Sequence, residues 1–309
     1  METFGFPSKQ GLYDPNFEKE ACGVGFVVNL SGLTSHKLIR DAETISRRLE
    51  HRGACAFENK IGDGAGIMTS IPHEFYRKEQ NIHLPPKGEY ATGIVFLNLY
   101  EEEDVKSHFQ KIAEEHQLKV LCWRSIEVDN SSLGSLSIST EPLMQQVFIT
   151  GSDLSVELFR QKIYLLRKYS THCLQEVFSR FYICSLSTEI IVYKGQLTSS
   201  QLWSYFKDLQ NPDYGSYLAI VHARFSTNTF PTWERAHPLR YLAHNGEINT
   251  LHGNVNLMRA REGVMRSSIY KDDLKKLFPV VEQNMSDSGS LDNVLEFLVM
   301  AGQRSLPEV

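Results

Sequence analysis

Short apolar runs alternate with amphipathic segments along the whole chain. Apolar residues recur at helical spacing from 38 to 49, where Ser35 can act as the N-cap and the helix is expected to end near Gly53. Further helices are predicted at 101–118, after a cap at Ser152 or Asp153, at 251–262 and at 291–301. Runs of strand length and character lie at 22–29, 66–71, 91–99, 120–128, 147–150, 189–193, 217–223 and 239–243.

This order of elements predicts a layered α+β domain in which helices cover the faces of β-sheets. The first run is expected to be a buried strand that opens at Cys22. Residues 1–21 form a polar leader punctuated by Pro and Gly, and the Ser-rich stretch 130–140 is predicted to be a flexible loop. The chain shows no internal repeat, low-complexity tract or coiled-coil heptad.

The composition excludes several classes of function. With 309 residues, 41% hydrophobic content and a net charge of −5, the chain can bury a sizeable core and offers no basic surface for nucleic acid or anionic membranes. No apolar run is long enough to span a bilayer, and no secretory signal is visible. The five cysteines are widely spaced and lack a C-x-x-C pair, which argues against a disulfide framework or a thiolate metal cluster and favours a reducing cytoplasm.

Cys22 is the first candidate for chemistry, because a thiol is a strong nucleophile once a base activates it. No Cys/His pair at a known spacing supplies that base. Cleavage of the bond between Ala21 and Cys22 would free an α-amine whose pKa, ordinarily about 7.7–8.0, suits a general base near neutral pH. The alternative is a buried, inert cysteine at a strand start, which is the commoner fate of an arbitrary cysteine.

A second candidate is the segment His244-Asn245-Gly246-Glu247, which follows an apolar run. A turn at this place can aim the Asn245 side-chain amide and the Gly246 N–H at one point, as in an oxyanion hole. The alternative is a tight hairpin turn, for which Asn-Gly is the strongest short signal.

Two charged residues could bind a zwitterionic substrate. Arg224 stands at a predicted strand end and could grip a carboxylate through parallel N–H bonds, although an ordinary salt bridge is an equal alternative. Asp287 precedes the last predicted helix and could meet an ammonium group, whereas Ser290 in the same segment could simply cap that helix.

Two patterns carry weak signals. The glycine-rich stretch 62–66 looks like a phosphate-binding loop, but no Lys-Ser/Thr pair or strand-loop-helix context accompanies it. His222, His237, His244 and His252 match no common metal signature, so the sequence predicts no metal site and favours buried, supporting histidines.

Taken together, these segments resemble the amidotransferase domain of the glutamate synthase large subunit, a class II glutamine amidotransferase with the N-terminal-nucleophile hydrolase fold. The resemblance runs in order from about Phe17 to the end of the chain. Its blocks are Glu20-Ala-Cys22-Gly-Val-Gly-Phe, Glu50-His-Arg52-Gly-Ala-Cys, Gly62-Asp-Gly-Ala-Gly-Ile, His222-Ala-Arg224-Phe-Ser-Thr-Asn-Thr, Leu242-Ala-His-Asn245-Gly-Glu-Ile-Asn-Thr and Ser286-Asp287-Ser-Gly-Ser-Leu-Asp-Asn.

The resemblance implies an αββα sandwich of two antiparallel sheets, with residues 1–21 as a removable leader and 22–309 as the amidotransferase domain. It implies that Cys22 attacks the carboxamide of glutamine while its α-amine shuttles the proton and Asn245 and Gly246 hold the oxyanion. The remaining roles it implies are substrate-binding ones, with the α-carboxylate on Arg224, the α-amino group on Asp287, and the pocket also lined by Arg52 and Thr227.

The resemblance further implies ammonia assimilation by an oxidoreductase, in which ammonia travels to 2-oxoglutarate at an FMN and iron–sulfur site in synthase domains or subunits outside this chain. We expect no cofactor within the chain itself. In the family the domain continues with further strands, so the chain is expected to be truncated at its C-terminus. Two alternatives remain open, namely a catalytically silent fragment or interaction module, and a class II amidotransferase with another ammonia acceptor.

Overall fold

Two antiparallel β-sheets form the centre of the molecule in a computed structural model that describes residues 8–15, 22–53, 61–79, 83–151, 154–224, 229–283 and 285–309. The strands are β1 Val24–Val28, β2 Ala65–Ser70, β3 Tyr90–Leu97, β4 Lys119–Ser125, β5 Leu143–Thr150, β6 Phe181–Ile183, β7 Ile190–Gly195 and β8 Leu218–Ala223. The helices are α1 His36–Arg48, α2 His73–Lys78, α3 Glu102–Glu115, α4 Ser135–Ser139, α5 Val156–Val177, α6 Ser199–Tyr205, α7 Leu251–Glu262 and α8 Asp287–Met300.

The first sheet has the strand order β1-β8-β2-β7. All its neighbours are antiparallel, with Val24 opposite His222 and Ala65 opposite Ala223. Strand β2 is buried along its whole length because it has a partner on each side, whereas β1 is an edge strand and leaves Phe26 exposed. The expectation of a buried strand after Cys22 is therefore wrong in its burial, although the strand itself is confirmed.

The second sheet has the order β4-β5-β3-β6 and is also antiparallel. Its central strands β3 and β5 are mostly apolar and almost wholly buried, including the polar side chains of Gln145 and Gln146 in β5. One face contributes Phe96 and Phe148 to the core it shares with the first sheet, and the other contributes Val95 and Val147 to a core beneath α3 and α5.

Helices cover the outer face of each sheet. Helix α1 begins at the predicted cap, where Ser35 Oγ accepts a hydrogen bond from the Leu38 N–H, and it buries Leu38, Ile39 and Ala42 against the first sheet. Helix α6 packs beside it, while α3 and α5 cover the second sheet. The layers therefore follow the order α1/α6, first sheet, second sheet, α3/α5, which confirms the predicted α+β class and the αββα sandwich.

A buried ionic cluster ties α5 to the C-terminal part of the chain. Arg167 on α5 donates to Glu282 at 2.9 Å and to both carboxylate oxygens of Glu296 on α8, while Lys168 donates to Glu282 at 3.0 Å. All four side chains are almost completely buried. Since each charge has a partner, the cluster fixes α8, which carries Asp287, against the helical layer.

Four further predicted features differ from the structure. Residues 239–243 form no strand, and 130–140 contain the short helix α4. Ser155 caps α5, while the predicted caps at 152 and 153 lie outside the described residues. Helix α8 is capped by Ser286 and not by Ser290.

No helix in the described ranges combines the length and apolar character needed to cross a membrane.

Candidate active site

The predicted site residues converge at one end of the first sheet. Because β1, β8 and β2 are antiparallel neighbours, the start of β1, the end of β8 and the start of β2 lie side by side. Pairing continues past these ends, since the Ala223 N–H donates to the Gly23 carbonyl at 2.7 Å and the Arg224 N–H donates to the Gly64 carbonyl at 2.8 Å. The sheet thus brings the segment after Cys22 next to the segment that carries Arg224.

A cavity of about 610 Å³ opens at this end of the sheet. The predicted residues that line it are Arg52, Arg224, Asn245, Gly246 and Asp287. Its wall also contains the histidines His222, His237 and His244. The structure therefore gathers residues from four separate motifs of the sequence around one space.

Cys22 carries a free, exposed thiol and is not among the residues that line this cavity; the residue after it, Gly23, contacts Asn245, which does line it. Both ends of the Asn245 carboxamide have suitable hydrogen-bond partners in the orientation in which its oxygen accepts from the Gly23 N–H at 2.5 Å. In that orientation its nitrogen lies 2.5 Å from His222 Nε2 and 3.2 Å from the His244 carbonyl oxygen. Asn245 is thus fixed directly against the backbone of the residue that follows Cys22.

Gly246 is held by a neighbouring side chain. Its N–H donates to His244 Nδ1 at 3.1 Å, and His244 Nε2 lies 2.6 Å from Ser288 Oγ. No strand flanks 244–247 on either side among the described residues, since β8 ends at Ala223 and the next element is α7. The alternative of a hairpin turn at Asn245-Gly246 is therefore wrong.

Arg224 is buried at the end of β8. Its guanidinium donates to the Asp63 carbonyl at 3.3 Å and to Thr229 Oγ1 at 2.8 Å. Burial lowers the pKa of Arg224, whereas the negative charges of Asp63 and Asp287 act in the opposite direction. A carboxylate in the cavity would offset the same burial, which suits Arg224 to bind one.

Asp287 is the first residue of α8, where the helix dipole favours a negative charge. Its Oδ2 accepts from the Ile248 N–H at 2.8 Å, and its Oδ1 accepts from the Ser288 N–H at 2.7 Å. Ser286 takes the capping role through the Gly289 N–H, so capping does not need Asp287. Asp287 lines the cavity, and its carboxylate also fixes the loop that follows Gly246.

Arg52 and Thr227 are the two remaining residues predicted to line the pocket. Arg52 ends the 3₁₀ turn Glu50–Arg52 after α1, is half-buried and lines the cavity, and its Nε is buried without a hydrogen-bond partner in the described structure. Thr227 lies outside the described residues.

Two of the histidines in the wall, His222 and His237, are buried, and His244 is half-buried. The rings of His222 and His237 stack with their centroids 4.5 Å apart. Burial lowers the pKa of His222 to about 4, and burial also lowers the pKa of His237, so both rings are neutral at pH 7. Within the described ranges no group of three His, Cys, Asp or Glu side chains is placed to hold a metal ion.

Two supporting features escaped prediction from the sequence. Asp292 is fully buried on α8, and its Oδ1 accepts from the N–H groups of Tyr241 and Leu242 at 2.7 and 3.1 Å, which fixes the segment leading to Asn245. The glycine-rich stretch 62–66 lies against Arg224, where Gly64 adopts a φ of +145°. Asp292 lies within the motif that begins at Ser286, but only the folded structure shows what it binds.

The geometry suits a small molecule that carries both a carboxylate and an ammonium group. Arg224 and Asp287 offer opposite charges in one cavity that Asn245 and Gly246 also line, and Asn245 lies against the N–H of Gly23, the residue that follows the exposed Cys22. A thiolate can attack a carbonyl carbon, and amide N–H donors can stabilise the oxyanion that forms.

Comparison with known families gives one match over most of the chain. The family described as "Glutamine amidotransferases class-II" matches residues 22–309. This range includes every described element of the sandwich and all the residues of the cavity.

Curated relatives of the chain are glutamate synthases. The chain is 47% identical to "Glutamate synthase [NADH]" of Saccharomyces cerevisiae over 98% of its own length and 15% of that protein. It is 44% identical to "Glutamate synthase [NADPH] large chain" of Bacillus subtilis over 96% of its length and 20% of that protein. It is 37% identical to "Ferredoxin-dependent glutamate synthase" of Pyropia yezoensis over 93% of its length and 19% of that protein. The chain thus spans no more than a fifth of these relatives.

Proposed function

The chain belongs to the class II glutamine amidotransferases, and from this premise we propose that it hydrolyses the side-chain amide of glutamine with Cys22 as the nucleophile. The observation that carries the proposal is the joint placement of Arg224, Asp287 and Asn245 around one cavity beside Gly23. Glutamine has the matching groups, namely an α-carboxylate, an α-ammonium and a carboxamide at the far end of its side chain.

In the proposed reaction, Arg224 binds the α-carboxylate and Asp287 binds the α-ammonium, with Arg52 and Thr227 completing the pocket. The Cys22 sulfur attacks the amide carbon. The oxyanion is held by the Gly246 N–H and by the Asn245 amide nitrogen, which has to turn away from His222 Nε2 and the His244 carbonyl to reach it. Collapse of this intermediate releases ammonia and leaves a γ-glutamyl thioester on Cys22. Attack by water then releases glutamate and restores the thiol.

The base in this scheme is the α-amine of Cys22, which requires removal of residues 1–21. The start of the family match at Cys22 supports this step. An α-amine with an ordinary pKa of about 8 is partly unprotonated near neutral pH and can take the thiol proton. The same group can return that proton to the departing ammonia.

We further propose that this glutaminase step serves glutamate formation, since the named relatives are glutamate synthases. The widely spaced cysteines, without a C-x-x-C pair, favour a place in the reducing cytoplasm. Ammonia is then delivered to 2-oxoglutarate by a domain or subunit outside this chain, and FMN and an iron–sulfur cluster belong to that part. We assign no cofactor to the glutaminase step itself.

The test is glutamate release from glutamine by the wild-type chain and by Cys22→Ser. We expect the variant to lose release, because a serine hydroxyl is a far weaker nucleophile than a thiol in a site built for sulfur. Cys173→Ser, which changes a partly buried free thiol away from the cavity, is the matched control and should keep the wild-type rate. Undiminished release by Cys22→Ser would overturn the proposal.

A further inference from the structure

A chain of hydrogen bonds joins the proposed ammonium-binding carboxylate to the proposed oxyanion donor. The Gly246 N–H donates to His244 Nδ1 at 3.1 Å, His244 Nε2 lies 2.6 Å from Ser288 Oγ, and the Ser288 hydroxyl donates to Asp287 Oδ1 at 3.2 Å. Because Nδ1 accepts a hydrogen bond, a neutral His244 carries its proton on Nε2 and donates to Ser288. Each link therefore has one direction, from Gly246 to Asp287.

Burial makes this series of hydrogen bonds depend on its last acceptor, the carboxylate of Asp287. Ser288 is 6% exposed, so in the absence of substrate its hydroxyl depends mainly on its protein partners. Asp287 Oδ1 already accepts from the Ser288 N–H at 2.7 Å, and Oδ2 is engaged by the Ile248 N–H at 2.8 Å. Oδ1 thus accepts two hydrogen bonds and Oδ2 accepts one, and an ammonium group that binds both oxygens of Asp287 would compete with the Ser288 hydroxyl for Oδ1.

We propose that Ser288 and His244 are positioning residues that couple binding of the substrate α-ammonium at Asp287 to release of the Gly246 N–H toward the oxyanion. This inference rests on the proposed glutaminase function and adds to it a means by which the site responds to the amino group of its substrate. Neither side chain touches the reacting atoms; both act through Gly246.

The coupling requires His244 to change from the Nε2–H tautomer to the Nδ1–H tautomer. When the ammonium takes Oδ1, the Ser288 hydroxyl turns its hydrogen toward His244 Nε2. The proton on Nε2 passes to solvent, and another from solvent binds Nδ1, so the net charge of the ring is unchanged. An Nδ1–H group cannot accept from the Gly246 N–H, which is thereby freed to face the oxyanion.

The experiment compares glutamine with 4-carbamoylbutanoate, which keeps the carboxylate and the carboxamide of glutamine but lacks its α-amino group. The kcat and KM for both compounds are measured in the wild-type chain, Ser288→Ala and His244→Phe. Ser290→Ala is the matched control, because Ser290 lies on the same helix, is equally buried and donates only to the Ser286 carbonyl in the described structure. Unfolding temperatures establish that each variant is folded.

We expect the ratio of kcat for glutamine to kcat for the analogue to fall by about ten- to a hundredfold in Ser288→Ala, since a misplaced oxyanion donor typically costs that much or more. The KM for glutamine should change little, because Arg224 and Asp287 remain. His244→Phe should lower the same ratio, and it decides the matter if Ser288→Ala does not fold. Ser290→Ala should keep the wild-type ratio.

Equal losses of kcat for both compounds would show that Ser288 and His244 only maintain structure. A wild-type ratio of kcat for glutamine to kcat for the analogue would show that there is no coupling. Either result overturns the inference while the wild-type chain still hydrolyses glutamine. Absence of glutamine hydrolysis by the wild-type chain would instead overturn the proposed function itself, and the inference with it.

Discussion

At the scale of single residues, the site depends on the absence of a side chain at Gly23. A Cβ atom built at Gly23 would lie 2.3 Å from the end of the Asn245 carboxamide and 2.4 Å from the Ala223 carbonyl oxygen. Both distances are far below van der Waals contact, and one of them involves backbone. Only glycine therefore allows Asn245 to lie against the backbone next to Cys22.

We predict that Gly23→Ala displaces Asn245 and lowers the kcat of glutamine hydrolysis by about a hundredfold, the typical cost of losing one oxyanion donor. Gly215→Ala is the control, since a Cβ there would lie 3.5 Å from its nearest neighbour, the Ser35 nitrogen. Steady-state kinetics measure both. A wild-type kcat in Gly23→Ala would mean that Asn245 does not act from its observed place.

Arg224 gives a second prediction at this scale. Lysine in its place would supply one point charge instead of a planar fork, so we expect Arg224→Lys to raise KM for glutamine by about ten- to a hundredfold with little change in kcat. Arg266→Lys, a change at an exposed arginine, should leave both constants alone. Equal losses in kcat and in kcat/KM would contradict the role of Arg224 in binding.

The residues of the site were predictable to different degrees. Cys22, Asn245, Arg224 and Asp287 stand in motifs whose order along the chain is specific. The last three motifs meet at the cavity together with the motif of Arg52. His244 carried only a weak signal, because a histidine at that spacing matches no metal or catalytic pattern. Its hydrogen bond to Ser288 joins residues that are distant in sequence, so only the folded chain shows it.

At the scale of elements, the loop before Asn245 shows how tertiary contacts override a local pattern. Residues 239–243 have the apolar character of a strand, but Asp292 accepts from the N–H groups of Tyr241 and Leu242, which a strand would have given to a neighbouring strand. The long helices were predicted within a few residues, because amphipathic periodicity over several turns is a strong signal.

We predict that Asp292→Ala destabilises the fold by about 3–5 kcal/mol, because it leaves buried N–H groups and the buried Arg240 guanidinium without this carboxylate. Glutaminase activity should fall with it, as the segment leading to Asn245 loses its anchor. Asp272→Ala, an exposed change, is the control. Denaturant unfolding measures the free energy, and a loss below about 1 kcal/mol, as for an exposed ion pair, would contradict this role.

At the scale of the whole molecule, the class of fold followed from the alternation of elements and the layer order from the family resemblance, but the buried charges did not. The carboxylates that pair with Arg167 lie more than a hundred positions away along the chain, so no local sequence pattern predicts these ion pairs. Burial in the same fold also lowers the pKa of several histidines and keeps them neutral.

These histidines predict how stability depends on pH. Burial lowers the pKa of His222 and of His172 to about 4, whereas unfolded histidine titrates near 6.5. Between these values the unfolded chain binds more protons than the folded one, so the free energy of unfolding should fall as pH drops from about 6.5 to 4.5, by up to about 1.4 kcal/mol per pH unit for each histidine.

Chemical denaturation at several pH values measures this slope, and His222→Gln should reduce it by the contribution of one histidine. Stability that stays constant or rises as the pH falls through this range would show that these rings gain protons in the folded protein. The range stops at 4.5 so that most carboxylates remain ionised in both states.

Intact-mass analysis of the purified chain, quenched in acid during turnover of glutamine, decides whether Cys22 carries the reaction. We expect a chain that begins at Cys22 and a fraction of molecules heavier by one γ-glutamyl group, which peptide mapping places on Cys22 and which Cys22→Ser lacks. Glutamate release by a chain that retains Met1, or a γ-glutamyl group on another residue, would contradict the account.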